Sequence, residues 1–142
     1  MKSYFYDFVI YTDGSCFDNG SKNNQGGWAC VILDGSLDKG DSLACASKHS
    51  GKVLNTTNNR MEIQAVIEGL ARCPDKSLVK IVTDSQYVIG TMTKNWKRNK
   101  NTDLWDKLCL EVNRMKDVSF EWVKGHNGDE INELVDGLSR YK

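Results

Sequence analysis

Apolar and polar positions along this chain follow two periods in succession. Phe8-Val9-Ile10-Tyr11 is an unbroken apolar run, the pattern of a strand buried on both faces. Asn19-Gly20 and Gly26-Gly27 then punctuate a loop, and Trp28 to Leu33 reads as a second strand with Asp34-Gly35 as its turn. Residues 42–48 carry a weaker third strand signal. The short connections suit an antiparallel meander. Helical spacing takes over from about Asn59 to Cys73, where Ile63, Val66, Ile67 and Leu70 recur on one face and Pro74 follows the stop. Val79 to Thr83 is a short β-branched strand, and Ser85 is placed to cap a helix running to about Thr91. Asp103 to Met115 predicts another helix with Leu104, Leu108 and Val112 on one face, followed by a strand over Val118 to Val123. Residues 129–141 predict a last helix, with Ile131, Leu134, Val135 and Leu138 as its apolar stripe. A meander followed by alternating helices and strands is the pattern of one mixed α/β domain spanning residues 1–142.

Composition narrows the function classes. The chain has 142 residues, 39% apolar and 27% charged, enough to bury a core. Nineteen basic residues balance nineteen acidic ones, so bulk charge is not what would hold a nucleic acid. A local basic face remains open. No apolar run approaches the ~20 residues of a membrane helix, and the N-terminal apolar stretch is too short for a signal peptide. The five cysteines (16, 30, 45, 73 and 109) are scattered, and there are only two histidines, which argues against a zinc site. Reduced thiols in a cytoplasmic protein are the expectation.

Four carboxylates stand in unusual settings: Asp13 in Tyr-Thr-Asp-Gly-Ser, Glu62 in Asn-Asn-Arg-Met-Glu, Asp84 in Thr-Asp-Ser-Gln, and Asp136, ten residues after Gly125-His126. Asp13 is either a turn residue before Gly14 or, if Ser-Cys-Phe extends the strand, a carboxylate on a central strand. The second placement is costly unless the group is paired or bound to a metal. Glu62 fits a capping box with Asn59, yet it also borders the apolar stripe, where it could face inward. Asp84 closes a strand just before a helix; it is either a helix-start charge or a ligand at the carboxyl end of a sheet. Asp136 lies well away from the stripe of Ile131, Leu134 and Leu138, so the helical wheel alone puts it on a solvated face. If the fold gathers the four, each pair at ~4 Å repels by about 4 kcal/mol at an effective dielectric near 20. Bound cations or retained protons must then compensate. Hard divalent ions take such oxygens, Mg²⁺ above all where phosphates complete the shell.

The same contexts, read in order, resemble a type 1 ribonuclease H. They are Asp-Gly-Ser-Cys after a strand, Thr-Thr-Asn-Asn-Arg-Met-Glu at a helix start, Thr-Asp-Ser-Gln-Tyr-Val at a strand end, Trp-Val-Lys-Gly-His and a final Asp. The match runs from about residue 7 to residue 139. The resemblance implies an RNase H-like fold, with a five-stranded mixed sheet of order 3-2-1-4-5 and helices on both faces. It implies cleavage of the RNA strand of an RNA–DNA hybrid, leaving 3′-hydroxyl and 5′-phosphate ends, by two Mg²⁺ ions, with Mn²⁺ as an alternative. Asp13 would bridge both ions; Glu62 and Asp84 would hold the ion near the leaving group, and Asp136 the ion near the water. His126, on a loop beside the metals, could shuttle a proton or help product leave. Asn19, Asn58, Asn59, Gln86 and the Cys16 backbone match contacts to the minor groove, where the 2′-hydroxyl marks RNA. Thr57 and Asn95 match a pocket for a DNA phosphate, and Trp96 would stack near a sugar. Capping explains Asn58 and Asn59 equally simply, and a turn explains Asn19. No partner beyond the hybrid is implied, and a monomer is expected.

The chain departs from that pattern in two places. Asn55 stands where some relatives carry the basic residue of the phosphate pocket. The stretch between Trp96 and Trp105 is short, where many relatives carry a longer basic protrusion with an added helix. Lys94, Lys97, Arg98 and Lys100 remain, either as a solvated charge run or as a reduced substrate handle. The competing classes are a non-catalytic hybrid-binding module, which need not keep four carboxylates, and an integrase or resolvase nuclease, which lacks Asn-Asn-Arg-Met-Glu and Gly-His. The nuclease domain of a reverse transcriptase is a third. Met1 and the lack of polymerase sequence favour a free-standing protein over it.

Overall fold

The computed structural model describes residues 6–17, 24–37, 39–124 and 130–140, apart from the side chains at positions 39 and 43. Five strands form one sheet: β1 (Phe8–Phe17), β2 (Gln25–Asp34), β3 (Ser47–Leu54), β4 (Leu78–Thr83) and β5 (Asp117–Trp122). The strand order is β3-β2-β1-β4-β5, as the resemblance implies. β1 pairs antiparallel with β2 along its whole length and parallel with β4 through Thr12. The helices are α1 (Lys39–Ala44), α2 (Asn58–Ala71), α3 (Gln86–Thr93), α4 (Thr102–Arg114) and α5 (Glu130–Ser139).

Two apolar layers sandwich the sheet. The larger joins Ile10, Cys30 and Ile81 to the stripe of α2, to Val88 of α3 and to Leu104, Trp105 and Leu108 of α4. The smaller packs Ala29, Val31 and Leu33 against Ile131 and Val135 of α5. β2 is therefore buried on both faces from Gly26 to Leu33, which explains its continuous apolar reading.

One predicted element is displaced. Residues 42–48 do not form the third strand. Lys39–Ala44 is a helical turn and a half, tied down by Ser42 Oγ, which donates to the carbonyls of Asp34 (2.6 Å) and Leu37 (3.2 Å). The third strand follows it as Ser-Lys-His-Ser-Gly-Lys-Val-Leu, an edge strand whose strand character comes from pairing with β2 rather than from apolar residues. At the other edge of the site, the eight residues 94–101 join α3 to α4 with no helix between them. The protrusion is short, as the spacing of Trp96 and Trp105 indicates.

Candidate active site

β1 does not turn at Asp13. It continues to Phe17, and Asp13 pairs with Ala29 in the middle of the sheet, only 3% exposed. The next residue, Gly14, is where α2 comes closest. A Cβ there would lie 2.4 Å from Met61 C and Glu62 N, so only glycine admits the helix and brings Glu62 to Asp13.

Glu62 is not a capping residue. Thr57 is the N-cap of α2, its Oγ1 accepting from Arg60 N–H at 3.1 Å, so Glu62 lies two residues beyond the capping-box position and points inward. Asp84 follows β4 directly, and Ser85 caps α3 by accepting from Val88 N–H at 3.2 Å. One oxygen each from Asp13, Glu62 and Asp84 lie within 4.8 Å of one another.

Asp136 is the residue the helical wheel misplaces. Its side chain is only 20% exposed and approaches Asp13 closely enough to exchange a hydrogen bond when one of the two is protonated. The buried face of α5 comprises Ile131, Asn132, Val135 and Ser139, so two polar residues rotate the packed surface toward Asp136. The apolar stripe alone could not show this rotation. Docking of the helix end depends on Gly27, where a Cβ would fall 2.1 Å from Ser139 O, and on Ser15 Oγ, which donates to that carbonyl at 2.9 Å. Arg140 Nε reaches both oxygens of Asp136, at 3.1 and 3.2 Å. Neither Ser15, Ser139 nor Arg140 stands out in the sequence.

Crowding shifts these acids strongly. Burial, followed by the neighbouring Asp136 and the charge of Asp84, pushes the Asp13 carboxyl up to about 9, against the Gly14 N–H that donates to its Oδ1 at 2.9 Å. Burial, then the charges of Asp13 and Asp84, raises Glu62 well above the ordinary carboxylate range. Asp13 Oδ2 and Glu62 Oε1 are buried and, with the carboxyls ionised, have no hydrogen-bond partner among the described residues. Buried acceptors of this kind call for a cation.

A cleft of about 630 Å³ opens over this cluster, lined by Asp13, Cys16, Asn58, Glu62, Asp84 and Asp136 among the residues the sequence singles out. Thr57, Asn59, Gln86, Asn95 and Trp96 are exposed outside its wall. Asn95 adopts a left-handed φ of 56° after α3, and the Trp96 ring lies against Gly90. Asn24, overlooked in the sequence, exchanges two 2.8 Å hydrogen bonds with the Thr56 backbone and so fixes the entry to α2. Arg98 is not free for substrate. Its guanidinium packs 5.8 Å from the centre of the Trp105 ring and donates to Cys109 Sγ at 3.1 Å. Asn19 and His126 lie outside the described residues.

Comparison with known proteins agrees with this geometry. The RNase H family profile matches residues 6–142. The chain is 42% identical to a ribonuclease H of Marinobacter nauticus, covering 92% of this chain and 90% of that one. It is 38% identical to a ribonuclease H of Caldicellulosiruptor saccharolyticus, with 94% of each covered. The chain belongs to the ribonuclease H family. A ribonuclease HI of Xylella fastidiosa is 40% identical over 92% of this chain and 87% of that one. Among solved structures, LC9-RNase H1, described as a type 1 RNase H with the type 2 active-site motif, superposes with a TM-score of 0.73 at 28% identity, covering 98% of this chain and 72% of that one. Ribonucleases H cut the RNA strand of RNA–DNA hybrids in a metal-dependent reaction, and this chain is an endoribonuclease of that kind.

Proposed function

We propose that Asp13, Glu62, Asp84 and Asp136 are the metal-holding and catalytic carboxylates of this ribonuclease H. The buried, unpartnered oxygens of Asp13 and Glu62 at the convergence of three acids carry the reading. Divalent ions held there, Mg²⁺ in our reading, would offset the carboxylate charge and would supply polarisation of the phosphate and water for an in-line displacement that leaves 3′-hydroxyl and 5′-phosphate ends. Asp13, central on β1, would contribute to both ions, Glu62 and Asp84 to one of them and Asp136 to the other. His126 would move a proton in the reaction, as the resemblance implies.

In this reading the Cys16 backbone, Asn58, Asn59 and Gln86, and Asn19 by the resemblance, read the ribose hydroxyls of the RNA strand, since amides offer both donors and acceptors. Thr57 and Asn95 hold a DNA phosphate, and Trp96, 47% exposed, lies along a sugar. The chain acts as one domain over residues 1–142 and as a monomer. Five free cysteines fit a reducing compartment, the cytoplasm. No helix among the described residues is long and apolar enough to cross a membrane.

The test is a series of single variants, Asp13→Asn, Glu62→Gln, Asp84→Asn and Asp136→Asn, titrated with Mn²⁺ by calorimetry and assayed on a hybrid. Each should lose hybrid cleavage and weaken ion binding, Asp136→Asn the least. A fully active Asp84→Asn or Glu62→Gln enzyme would remove that residue from the set. Retained hybrid binding without cleavage in the parent protein would instead favour a non-catalytic binding module.

A further inference from the structure

Of the three acids that converge, Asp84 alone stands on irregular backbone. Asp13 is held by the β1–β2 ladder and Glu62 by the body of α2. Asp84 occupies the two-residue link between the end of β4 at Thr83 and the start of α3 at Gln86. The bearing of its side chain therefore depends on the peptide planes of that link.

The upstream plane is fixed by conventional means. Val123 N–H donates to Thr83 C=O at 2.9 Å, the last rung between β5 and β4 among the described residues. In the next plane, Asp84–Ser85, Ser85 N–H donates to Thr83 Oγ1 at 3.1 Å, and the Asp84 carbonyl accepts from the indole Nε1–H of Trp122 at 3.2 Å. Trp122 closes β5 opposite Thr83 and is 43% exposed, so it adds little to either apolar layer. An indole is a donor only, and here it holds the carbonyl end of the plane whose N–H end is held by Thr83 Oγ1.

We propose that Trp122 is a positioning residue of the ribonuclease, holding the Asp84–Ser85 peptide plane together with Thr83 Oγ1 so that the Asp84 carboxylate stays aimed at Asp13 and Glu62. The inference rests on the reading of Asp84 as a metal-holding residue.

Trp122→Phe keeps a ring and removes the donor, whereas Trp122→His keeps an aromatic N–H. Calorimetric titration of the substrate-free protein with Mn²⁺ is the first readout. The Phe variant should bind about five- to tenfold more weakly, the size of one net hydrogen bond. Its kcat should fall by a similar factor with the hybrid KM held within about twofold, and the His variant should recover part of both. Parental Mn²⁺ affinity and kcat in the Phe variant would overturn the proposal. A raised KM with unchanged kcat would also overturn it, because Trp122 would then be touching substrate. Hydrogen exchange of the parent protein covers the case of a misfolded variant: the Trp122 indole N–H should exchange more slowly than that of exposed Trp96, and equal rates would refute the bond. Asp84→Asn run in parallel separates the two ideas. If it stays active, the reading of the site fails; if it is inactive while Trp122→Phe is parental, only the role of Trp122 fails.

Discussion

Replacing Asp13 by Asn should stabilise the metal-free protein, and the gain should grow with pH. The folded carboxyl is pushed from 3.8 to about 9 by burial and by its acidic neighbours. Between those values the native state holds a proton that the unfolded chain has released. The unfolding free energy therefore falls as pH rises through this window. From 3.8 to pH 7 is about 3 units at ~1.4 kcal/mol each, a ceiling of about 4 kcal/mol. Proton sharing among the coupled acids lowers it, so the expected gain for Asp13→Asn at pH 7 is roughly 1–4 kcal/mol. For a chain of this length each kcal/mol raises Tm by about 3 °C. Thermal melts followed by circular dichroism in chelator, at several pH values from 3.5 to 8.5 (assay conditions chosen to span about the titration window), give the comparison. The two proteins should melt together at the acid end and diverge upward. Saturating Mg²⁺ should then narrow the gap by stabilising the parent alone. A gap that does not change with pH, or a variant less stable than the parent at neutral pH, would refute the electrostatic account.

Four other changes follow from single contacts. Gly14→Ala puts a methyl group 2.4 Å from the α2 backbone; urea melts should show a loss of about 1–3 kcal/mol, together with weaker Mn²⁺ binding. Asn24→Ala removes both bonds to the Thr56 backbone and should cost about 1–3 kcal/mol in the same assay. Lys94→Ala with Lys97→Ala should weaken hybrid binding at low salt and flatten its salt slope, read by fluorescence anisotropy. Arg98→Ala, by contrast, loses its contacts with Trp105 and Cys109, so it should lower Tm while leaving that salt slope unchanged.

Much of the fold is legible because strong periodicity and strong punctuation coincide. The β2 run, the α2 stripe ending near Pro74 and the Ser85 cap each combine two signals. The third strand escapes because an edge strand needs few apolar residues, and β3 has only Val53 and Leu54. Of the candidate site, the motif contexts single out the four carboxylates, but simple rules misjudge their surroundings. Asp-Gly suggests a turn at Asp13, whereas the glycine serves close packing of α2. Glu62 mimics a cap because the true cap, Thr57, starts the helix two residues earlier than the Asn59 box would place it. Asp136 reads as solvated on a wheel that counts only apolar residues, since Asn132 and Ser139 are buried polar groups. The supporting contacts of Asn24, Ser15, Arg140 and Trp122 depend on tertiary neighbours and leave no local pattern.

The central claim is tested most directly by cleavage of a labelled RNA–DNA hybrid with Mg²⁺, beside single-stranded RNA, duplex DNA and the Asp13→Asn protein. The account predicts cutting of the hybrid's RNA strand alone, abolished by chelator and by the substitution. Cleavage that survives Asp13→Asn, or hybrid binding with no cleavage in the parent, would contradict it.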